Sequence, residues 1–324
     1  MAQHFLLSRA ARSLSLAKVA RLTDEEAWTT FKLIRWNSTN GDPVCPRCGC
    51  LTHSFLSTRK LWKCQGCKHQ FSVTSSTIFA SRKLPIRDHL LAIAIFANGA
   101  KGHSALQLSR DLDCQYRTAF VMAHKLREAV AAETAGATVS GTVEVDGAYF
   151  GGYVKPENRK EDRRDRRLAE NQTGKRRVVV VVRERQGKAL TFTFRAESEA
   201  VETITARVAL GSTVHADEAR GWDKLHATFL THRINHQESY SDGEACTNQA
   251  ESYFARLRRA EIGTHHHIAG PYLAAYAGEM AWRENYRRVS NGEQYLMMTG
   301  ASLRHPPSEA WKGYWQRHLA KDAA

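Results

Sequence analysis

Three carboxylates lie where side chains from different elements can converge on one site. Asp146 lies midway along an alternating stretch, Asp217 ends the run Thr-Val-His-Ala-Asp, and Glu251 lies in the first turns of a predicted helix. Two divalent cations about 3.5–4 Å apart, held by carboxylates, stabilise the attacking and leaving oxygens of phosphoryl transfer. Together the three residues indicate phosphodiester chemistry, although each acid alone is also typical of a turn, a cap or a solvated helix position.

Polar neighbours accompany two of these carboxylates. Glu144 shares a strand face with Asp146, because side chains two residues apart point the same way. A carboxylate at the centre of a strand costs free energy unless it is paired or binds a metal. Asn248 lies one turn before Glu251, and Arg258 lies seven residues after it on the same helix face. These residues extend the candidate site.

A second candidate site depends on cysteine spacing. Cys45 and Cys48 form one Cys-x-x-Cys pair, Cys64 and Cys67 form a second, and fifteen residues separate the two pairs. Two such pairs supply the closed four-sulfur shell that is typical of structural zinc. A closed shell leaves no position for water. We therefore predict one Zn²⁺ ion that stabilises structure and does not catalyse.

The residues around the cysteine pairs predict a zinc ribbon. Short strands are predicted at Leu51–Phe55 and Leu61–Lys63. Cys50 and His69 are close enough to be substitute ligands, but each is more often a bystander. The ribbon side chains predicted to face DNA are Arg47, Trp62, Lys63 and Lys68.

Helical patterns flank the ribbon. Thr23 and Glu26 have capping-box spacing before a predicted helix over 24–36. Between about 85 and 132, apolar residues recur every three or four positions, in at least two helices. The break near Asp113 gives helix-turn-helix spacing. Two interpretations of this spacing stay open, a unit that reads DNA and a plain helical hairpin. In the first interpretation, the side chains of the second helix and of the turn before it that would contact a DNA groove are Gln115, Arg117, Thr118, His124 and Lys125.

From residue 142 onward the pattern is that of an α/β layer fold. The five consecutive valines at 178–182 are typical of a central strand buried on both faces. The segment 155–177, with ten basic and five acidic residues, is predicted to be a mobile loop. Strands are predicted over 143–150, 177–183, 189–195, 213–216 and 228–235, and helices over 198–209, 248–259 and 271–287.

The composition favours a polyanionic partner. Lys and Arg outnumber Asp and Glu by 47 to 33, and the sequence pI is about 9.6. The resulting positive field attracts nucleic acid. The cysteines do not form a secreted disulfide framework, and the longest apolar stretch is too short to cross a bilayer. A reduced, cytoplasmic protein that binds nucleic acid is therefore expected.

Several motifs occur in the order found in one family. The chain resembles bacterial insertion-sequence transposases of the ISXO type in its zinc ribbon, its helical segment and the motifs VEVDGAYFGG, HADEARGWDKL, TNQAESYFARLRR, IGTHHHI and YAGEMAWRENYR. The resemblance covers roughly residues 25–290. It implies a ribonuclease-H-like DDE fold, which is an α/β mixed sheet flanked by helices, preceded by a zinc ribbon and a helix-turn-helix-like helical domain.

The resemblance also implies domains, partners and location. The partner is double-stranded DNA, at the element's inverted repeats and in the target, bound by a homo-oligomer that is a dimer or higher. The location is the bacterial cytoplasm, at the nucleoid. The implied domains are a basic arm and helix over 1–40, the zinc ribbon over 41–82, a helical DNA-binding domain over 83–134, the catalytic domain over 142–290 and a C-terminal tail over 291–324.

The family's motifs imply a role for each site residue. Its two aspartates fall on Asp146 and Asp217, and its signature continues with Asn or Glu and then Lys. Both Asn248 and Glu251 are present. We expect Glu251 to be the third ligand of two Mg²⁺ or Mn²⁺ ions, with Asn248 as helper or alternative, because Arg258 follows at the family's spacing for a basic partner. Arg258 stands where the family has lysine, so a planar guanidinium group with several donors replaces a compact ammonium group of the same charge.

The implied reaction is metal-dependent cleavage at the element ends, followed by attack of the exposed 3′-hydroxyls on target DNA. The segments 155–177 and 256–259 would neutralise phosphate, so DNA binding is expected to weaken steeply with salt. Two alternatives stay open. One is a non-catalytic DNA-binding regulator with a vestigial acidic site, and the other is a metal-dependent nuclease without strand transfer.

Overall fold

The structure is a computed structural model that describes residues 5–152, 157–165, 168–171, 173–234 and 246–316. The chain divides into two compact units, one of residues 1–133 with 286–324 and the other of residues 134–285. Within the described ranges, no helix has both the length and the apolar character needed to cross a membrane.

The first unit begins with helices α1 (Leu16–Ala20) and α2 (Asp24–Arg35). The predicted capping box starts α2. The Glu26 carboxylate accepts the Thr23 backbone N–H at 2.8 Å, and the Thr23 hydroxyl accepts the Glu26 backbone N–H at 3.2 Å. These bonds satisfy two amides that a helix start leaves unpaired. The helix predicted over 24–36 is confirmed and ends at Arg35.

A three-stranded antiparallel sheet follows, in the order β1 (His53–Leu56), β2 (Leu61–Cys64) and β3 (Gln70–Phe71). β1 pairs with β2 through His53 opposite Cys64. The two predicted strands are present, with β1 starting two residues later than expected. β3 has only two residues, too few for a periodic signal.

Trp62 of β2 lies in an aromatic cluster and not on the surface. Its side chain is 5% exposed. Its ring stacks on Trp28 of α2 at 5.3 Å and on Phe71 at 5.8 Å, and it meets Trp36 edge-on at 5.2 Å. Such rings bury a large apolar area, so Trp62 joins α2 to the ribbon. The prediction that Trp62 faces DNA is wrong.

Three helices follow the ribbon: α3 (Ile86–Asn98), α4 (Ala105–Asp111) and α5 (Tyr116–Ala132). The predicted break between the second and third is present. His124 of α5 is fully buried and stacks on Trp311 at 4.2 Å, so the prediction that it contacts a groove is wrong. That α4 and α5 bind a DNA groove remains a prediction.

The second unit contains a five-stranded mixed sheet in the order β6-β5-β4-β7-β8. β4, β5 and β6 pair antiparallel, whereas β7 pairs parallel with both β4 and β8. This mixed sheet flanked by helices is consistent with a ribonuclease-H-like fold. Its elements are β4 (Thr142–Phe150), β5 (Arg177–Glu184), β6 (Ala189–Phe194), α6 (Val201–Arg207), β7 (Thr213–Asp217), β8 (Leu230–Ile234), α7 (Asn248–Ala260) and α8 (Leu273–Asn285).

The valine strand β5 lies between two cores. Val178, Val180 and Val182 pack in a cluster with residues of α6, whereas Val179 and Val181 pack in a cluster with α7 and α8. All five valines are fully buried. The prediction of a central strand buried on both faces is confirmed, because helices cover both sides of the sheet.

Helix α9 (Asn291–Arg304) belongs to the first unit and packs on α3 and α5. Ser290 and Glu293 form a capping box at its start, and Tyr295 and Met298 are buried. This helix occupies the first part of the segment that we expected to be a tail. The domain boundaries given above stay predictions.

Two of the sequence-based predictions fall partly outside the described residues. Residues 155, 156, 166, 167 and 172 of the basic segment 155–177 are not among them, and neither is residue 235 at the end of the last predicted strand. In the described part of the basic segment, residues 157–165 form bends and turns, and Ala169–Asn171 form a 3-10 helix.

Candidate active site and zinc site

Asp146 and Asp217 lie on neighbouring parallel strands. β4 and β7 are in parallel register up to Val145 opposite Ala216. The next residue on each strand is an aspartate, so the two side chains lie side by side on strands about 4.8 Å apart. Val145 and Ala216 point into the α6 core. Because side chains alternate along a strand, Asp146 projects to the opposite face, which α7 covers. The Asp217 carboxylate, at the end of its strand, instead accepts a hydrogen bond from Trp222 of the α6 core.

Glu251 approaches the same face from the first turns of α7. The preceding residue, Ala250, packs in one cluster with Ala148 of β4 and Val181 of β5. This packing fixes the start of α7 above β4. The charge of Glu251 contributes to the raised pKa of Asp146. The structure therefore places Asp217 and Glu251 within electrostatic reach of Asp146.

Asp146 has an unusual electrostatic environment. Burial, followed by the neighbouring Asp217 carboxylate, raises the pKa of Asp146 to about 7, with Glu251 and Glu197 adding to the effect. The backbone N–H of Gly147, which donates to Asp146 Oδ1 at 2.7 Å, opposes this shift. Like charges near a partly buried carboxyl disfavour its ionised form, and a divalent cation reverses that preference. The donor set therefore suits hard metal ions.

The carboxylates form a wider set than the ligands of a single ion. Among the described residues, the four cysteines of the ribbon are the one group of three or more His, Cys, Asp or Glu side chains close enough to hold a single ion, with all ligand atoms within 4.8 Å of one another. Two ions about 3.5–4 Å apart distribute their ligands over a larger volume than one ion does. The spread of the carboxylates is thus compatible with a two-ion site.

Hydrogen bonds fix the orientation of Asp217. Its Oδ1 accepts the indole Nε1–H of Trp222 at 2.7 Å and the backbone N–H of Ala219 at 3.2 Å. Arg233 of β8 donates to the Asp217 carbonyl and to the Ala219 carbonyl, each at 2.6 Å. Trp222 is fully buried, so its ring is held by the core. The loop after β7 is therefore fastened at both the side chain and the backbone of Asp217.

Glu144 links β4 to the start of α7. Its fully buried carboxylate accepts the backbone N–H groups of Gln249 at 2.8 Å and Ala250 at 3.1 Å. Arg185 Nε donates to the other carboxylate oxygen at 2.9 Å. The first amides of a helix lack partners inside it, and a carboxylate there is favourable. Glu144 thus anchors the helix that carries Glu251, two residues before Asp146 on the strand.

Glu144→Gln is expected to lower the free energy of unfolding by about 1–3 kcal/mol, because it removes the charge that faces half-buried Arg185 and weakens the acceptor for two helix amides. Urea unfolding of the full chain measures the change. The matched control is Glu202→Gln on the exposed side of α6, which should shift stability by less than about 0.5 kcal/mol. Equal stabilities of Glu144→Gln and wild type would contradict the anchoring role.

Two other predicted site residues lie along α7. Asn248 is its first residue and is exposed. Arg258 is exposed two turns beyond Glu251, about 10.5 Å along the helix axis. The structure therefore places Asn248 beside the start of the site and Arg258 farther along the same helix face.

Charged residues of the YAGEMAWRENYR motif form ion pairs inside the domain. Arg283 pairs with Glu279 at 2.8 Å, and both are buried. Glu284 pairs with Arg256 of α7 at 2.9 Å and lies 3.7 Å from Arg183 of β5. The first pair lies within α8, whereas the contacts of Glu284 fasten α8 to α7 and to the sheet. Arg256, which we predicted to neutralise phosphate, is therefore committed to a structural ion pair.

The four ribbon cysteines are arranged as metal ligands. Cys45 Sγ lies 3.6 Å from Cys67 Sγ, and Cys48 Sγ lies 3.5 Å from Cys64 Sγ. All four sulfurs lie within 4.8 Å of one another. A tetrahedron with Zn–S bonds of 2.3 Å has S–S edges of about 3.8 Å. The cysteines therefore fit a structural Zn²⁺ ion.

The backbone near the cysteines favours thiolates. The Cys67 backbone N–H, which hydrogen-bonds the Cys64 sulfur, lowers the pKa of Cys64 against the opposing effect of burial. Metal binding requires the thiolate form, so this shift assists it. Cys50, the possible substitute ligand, donates its S–H to the Thr52 carbonyl at 3.6 Å. It lies outside the four-sulfur set.

Two family models match segments of the chain. Residues 138–285 match the family described as the ISXO2-like transposase domain, and residues 22–70 match the transposase zinc-ribbon domain. No curated protein and no solved structure matches the chain significantly. The two matches together span more than half of the 324 residues.

A zinc ribbon joined to a domain of this kind defines the class of insertion-sequence transposases with a DDE-type catalytic domain. The chain belongs to the IS1595-type family of these transposases. The family is one of enzymes of the polynucleotidyl-transferase or nuclease type, and its two domains are associated with DNA binding.

Proposed function

We propose that this transposase cuts DNA at the ends of its element and joins the exposed 3′-hydroxyls to target DNA, with Asp146, Asp217 and Glu251 as ligands of two Mg²⁺ or Mn²⁺ ions. The supporting observation is the electrostatic coupling of the three carboxylates around partly buried Asp146. Carboxylates held together in this way disfavour one another unless divalent cations neutralise them.

Each carboxylate has a separate structural support. When bound, the two ions would stabilise the charge on the attacking and leaving oxygens of the phosphate. Asp146 and Asp217 keep a fixed spacing because their strands are hydrogen-bonded in register. The Trp222 indole orients Asp217, and the Glu144 anchor holds the helix of Glu251. A preorganised site of this kind reduces reorganisation during the reaction and needs no covalent protein nucleophile.

The DNA contacts of the proposal lie outside the carboxylate set. The guanidinium of Arg258 is exposed on α7 and would bind a phosphate close to the cut. Arg47, Lys63 and Lys68 are exposed on the ribbon and would help to recognise the element ends. We also propose that the protein acts as a homo-oligomer on DNA, since the two ends of an element must be handled together.

Strand transfer by variants of α7 tests the proposal and the choice of third ligand. Pre-cut element ends with free 3′-hydroxyls are incubated with a supercoiled target plasmid and Mg²⁺ or Mn²⁺, and joined products are quantified. Wild type is expected to join them. Glu251→Gln should lose at least about 100-fold of the rate, because a metal ligand is gone, whereas Asn248→Ala should lose less than about tenfold.

The alternatives give different outcomes in the same assay. A larger loss of the strand-transfer rate for Asn248→Ala than for Glu251→Gln would identify Asn248 as the third ligand. Cleavage of uncut ends without joining of pre-cut ends would favour a nuclease without strand transfer. Binding of the ends with neither reaction would favour a regulator.

A further inference from the structure

The motif VEVDGAYFGG continues beyond Asp146 with residues that the proposed metal site does not use. Gly151 and Gly152, which end the motif, have φ angles of +72° and +65°, in the left-handed region that favours glycine. A Cβ at Gly152 would lie 3.0 Å from Arg176 Cβ and 3.1 Å from the Arg176 backbone nitrogen. The paired glycines therefore let the segment before β5 pack closely against the end of β4.

This packing forms a cleft where β4 ends and β5 begins, which we call the Tyr149 cleft. The guanidinium of Arg176 lies over the Tyr149 ring, 4.3 Å from its centre. Arg177 Nη1 donates to the carbonyls of Gly174 at 3.1 Å and of Arg176 at 2.8 Å. The cleft has a volume of about 340 Å³. It is lined by Tyr149, Gly174, Arg176, Arg177 and Arg195.

The positive charge of the Tyr149 cleft is not neutralised by direct ion pairs. Among the residues that the structure describes, Arg176, Arg177 and Arg195 form no ion pair within 4 Å. Glu197 interacts with Arg176 only at longer range. Three guanidiniums in one cleft repel one another, so an anionic ligand that binds between them would relieve this repulsion.

The Tyr149 cleft lies at the edge of the sheet where Asp217 ends its strand. Tyr149 follows Asp146 by three residues, about 10 Å along β4 toward its carboxyl end, and β7 runs parallel to β4. The Tyr149 side chain projects to the α6 side of the sheet, as its partner Val178 does. Trp222 holds the Asp217 carboxylate on this side. At about 3.4 Å of rise per nucleotide, a strand cut at the carboxylates would reach the cleft within about three nucleotides.

An exposed aromatic ring among guanidiniums suits a single DNA strand better than a duplex. In a duplex each base stacks on its neighbours, so the arginines could bind phosphates but the ring would have no base to stack on. An unpaired base exposes a face that can stack on an aromatic side chain, while basic groups bind the adjoining phosphates. The Tyr149 side chain is 36% exposed, so part of its ring is accessible to such a base.

We propose that the Tyr149 cleft binds an unpaired nucleotide of the DNA strand next to the cut, with the base against Tyr149 and the phosphates against the guanidiniums. This inference rests on the proposed function, because the three carboxylates define where the cut lies. It adds that the two strands of the element end separate within about three base pairs of the cut.

Binding of single-stranded and double-stranded DNA to the full-length, zinc-loaded protein tests the proposal. A fluorescein-labelled oligothymidylate and a duplex of the same length and arbitrary sequence are titrated without added Mg²⁺ or Mn²⁺, and anisotropy gives each Kd. Tyr149→Ala is expected to raise the Kd for oligothymidylate by about tenfold, because a stacking contact is lost, and the Kd for the duplex by less than about twofold. Tyr149→Phe keeps the ring and should bind both probes as wild type does.

Two results with Tyr149→Ala would overturn the proposal. One is an unchanged Kd for oligothymidylate, which would show that the ring contacts no base. The other is an equal loss of affinity for the duplex, which would show that the cleft does not distinguish unpaired from paired DNA.

Arg195 provides a second variant in case Tyr149→Ala does not fold. Arg195 is exposed directly after β6, so Arg195→Gln should fold and should raise the Kd for oligothymidylate several-fold by removing a phosphate contact. The matched control is Lys188→Gln, which removes one exposed positive charge at the opposite end of the β5–β6 hairpin and should change this Kd by less than about twofold. Equal Kd values for the two variants would overturn the cleft as the binding site.

The joining of pre-cut ends separates failure of this inference from failure of the proposed function. If Tyr149→Ala binds oligothymidylate normally while wild type joins pre-cut ends, the role of the cleft is overturned and the three-carboxylate site stands. If Tyr149→Ala loses oligothymidylate binding while wild type joins no ends, the cleft binds single strands and the proposed reaction fails.

Discussion

Asp146→Asn is expected to reduce both end cleavage and strand transfer by at least about 1,000-fold while leaving DNA affinity within about twofold of wild type. The amide keeps the shape of the side chain but removes the charge at the centre of the carboxylate set. Cleavage of labelled element ends and joining of pre-cut ends measure activity, and gel shifts measure binding. The control is Asp162→Asn, at an exposed aspartate of the basic segment.

The pH dependence of stability in the metal-free protein is a second measurement on Asp146→Asn. Because the pKa of Asp146 is raised to about 7 from its ordinary 3.8, the folded protein holds a proton that the unfolded chain releases between these values. Stability of the metal-free wild type should therefore fall as pH rises from about 4 to about 7. Asp146→Asn should flatten this part of the profile and be more stable than wild type at pH 8.

Undiminished cleavage by the variant would rule out Asp146 as a ligand, and a retained biological effect without cleavage would favour the regulator.

Removal of the ribbon zinc is expected to abolish specific binding to the element ends. Structural zinc contributes about 10 kcal/mol or more to the folding of small modules, and the ribbon sheet β1-β2-β3 is too small to persist without it. Cys64 is fully buried in the sulfur set, so Cys64→Ser should have the same effect as a chelator. Zinc content, tryptophan fluorescence of the Trp28 and Trp62 cluster, and end binding are the measurements.

Cys50→Ser is the matched control for the zinc prediction. Cys50 lies five residues from Cys45 but outside the four-sulfur set, so this variant should keep one zinc ion and wild-type end binding. Loss of zinc in Cys50→Ser would make Cys50 a ligand. Specific end binding by zinc-free protein would show that the ribbon metal is dispensable for recognition.

Local patterns in the sequence predicted those features that depend on neighbouring residues. The Thr23 capping box, the cysteine pairs and the valine strand are each determined by spacing within one element or by obligatory ligand chemistry. The convergence of Asp146 with Asp217 was expected from the family's motifs, and it depends on the parallel pairing of β4 with β7, which the local patterns do not give.

Features that depend on tertiary packing were missed or misassigned. Trp62 and His124 are polar-tipped aromatic residues that can lie on a DNA-binding surface, and only the packing of other elements buries them. Glu144 was noticed for its strand face, but its role depends on where α7 begins.

Helix α7 is clamped at two levels. Glu144 holds its first amides, and the Arg256–Glu284 pair holds it two turns later. Because α7 is held at both places, the helix fixes the axial separation of about 10.5 Å between Glu251 and Arg258. Inserting one residue between them would rotate Arg258 by about 100° and separate the proposed metal ligand from the proposed phosphate contact on the helix surface.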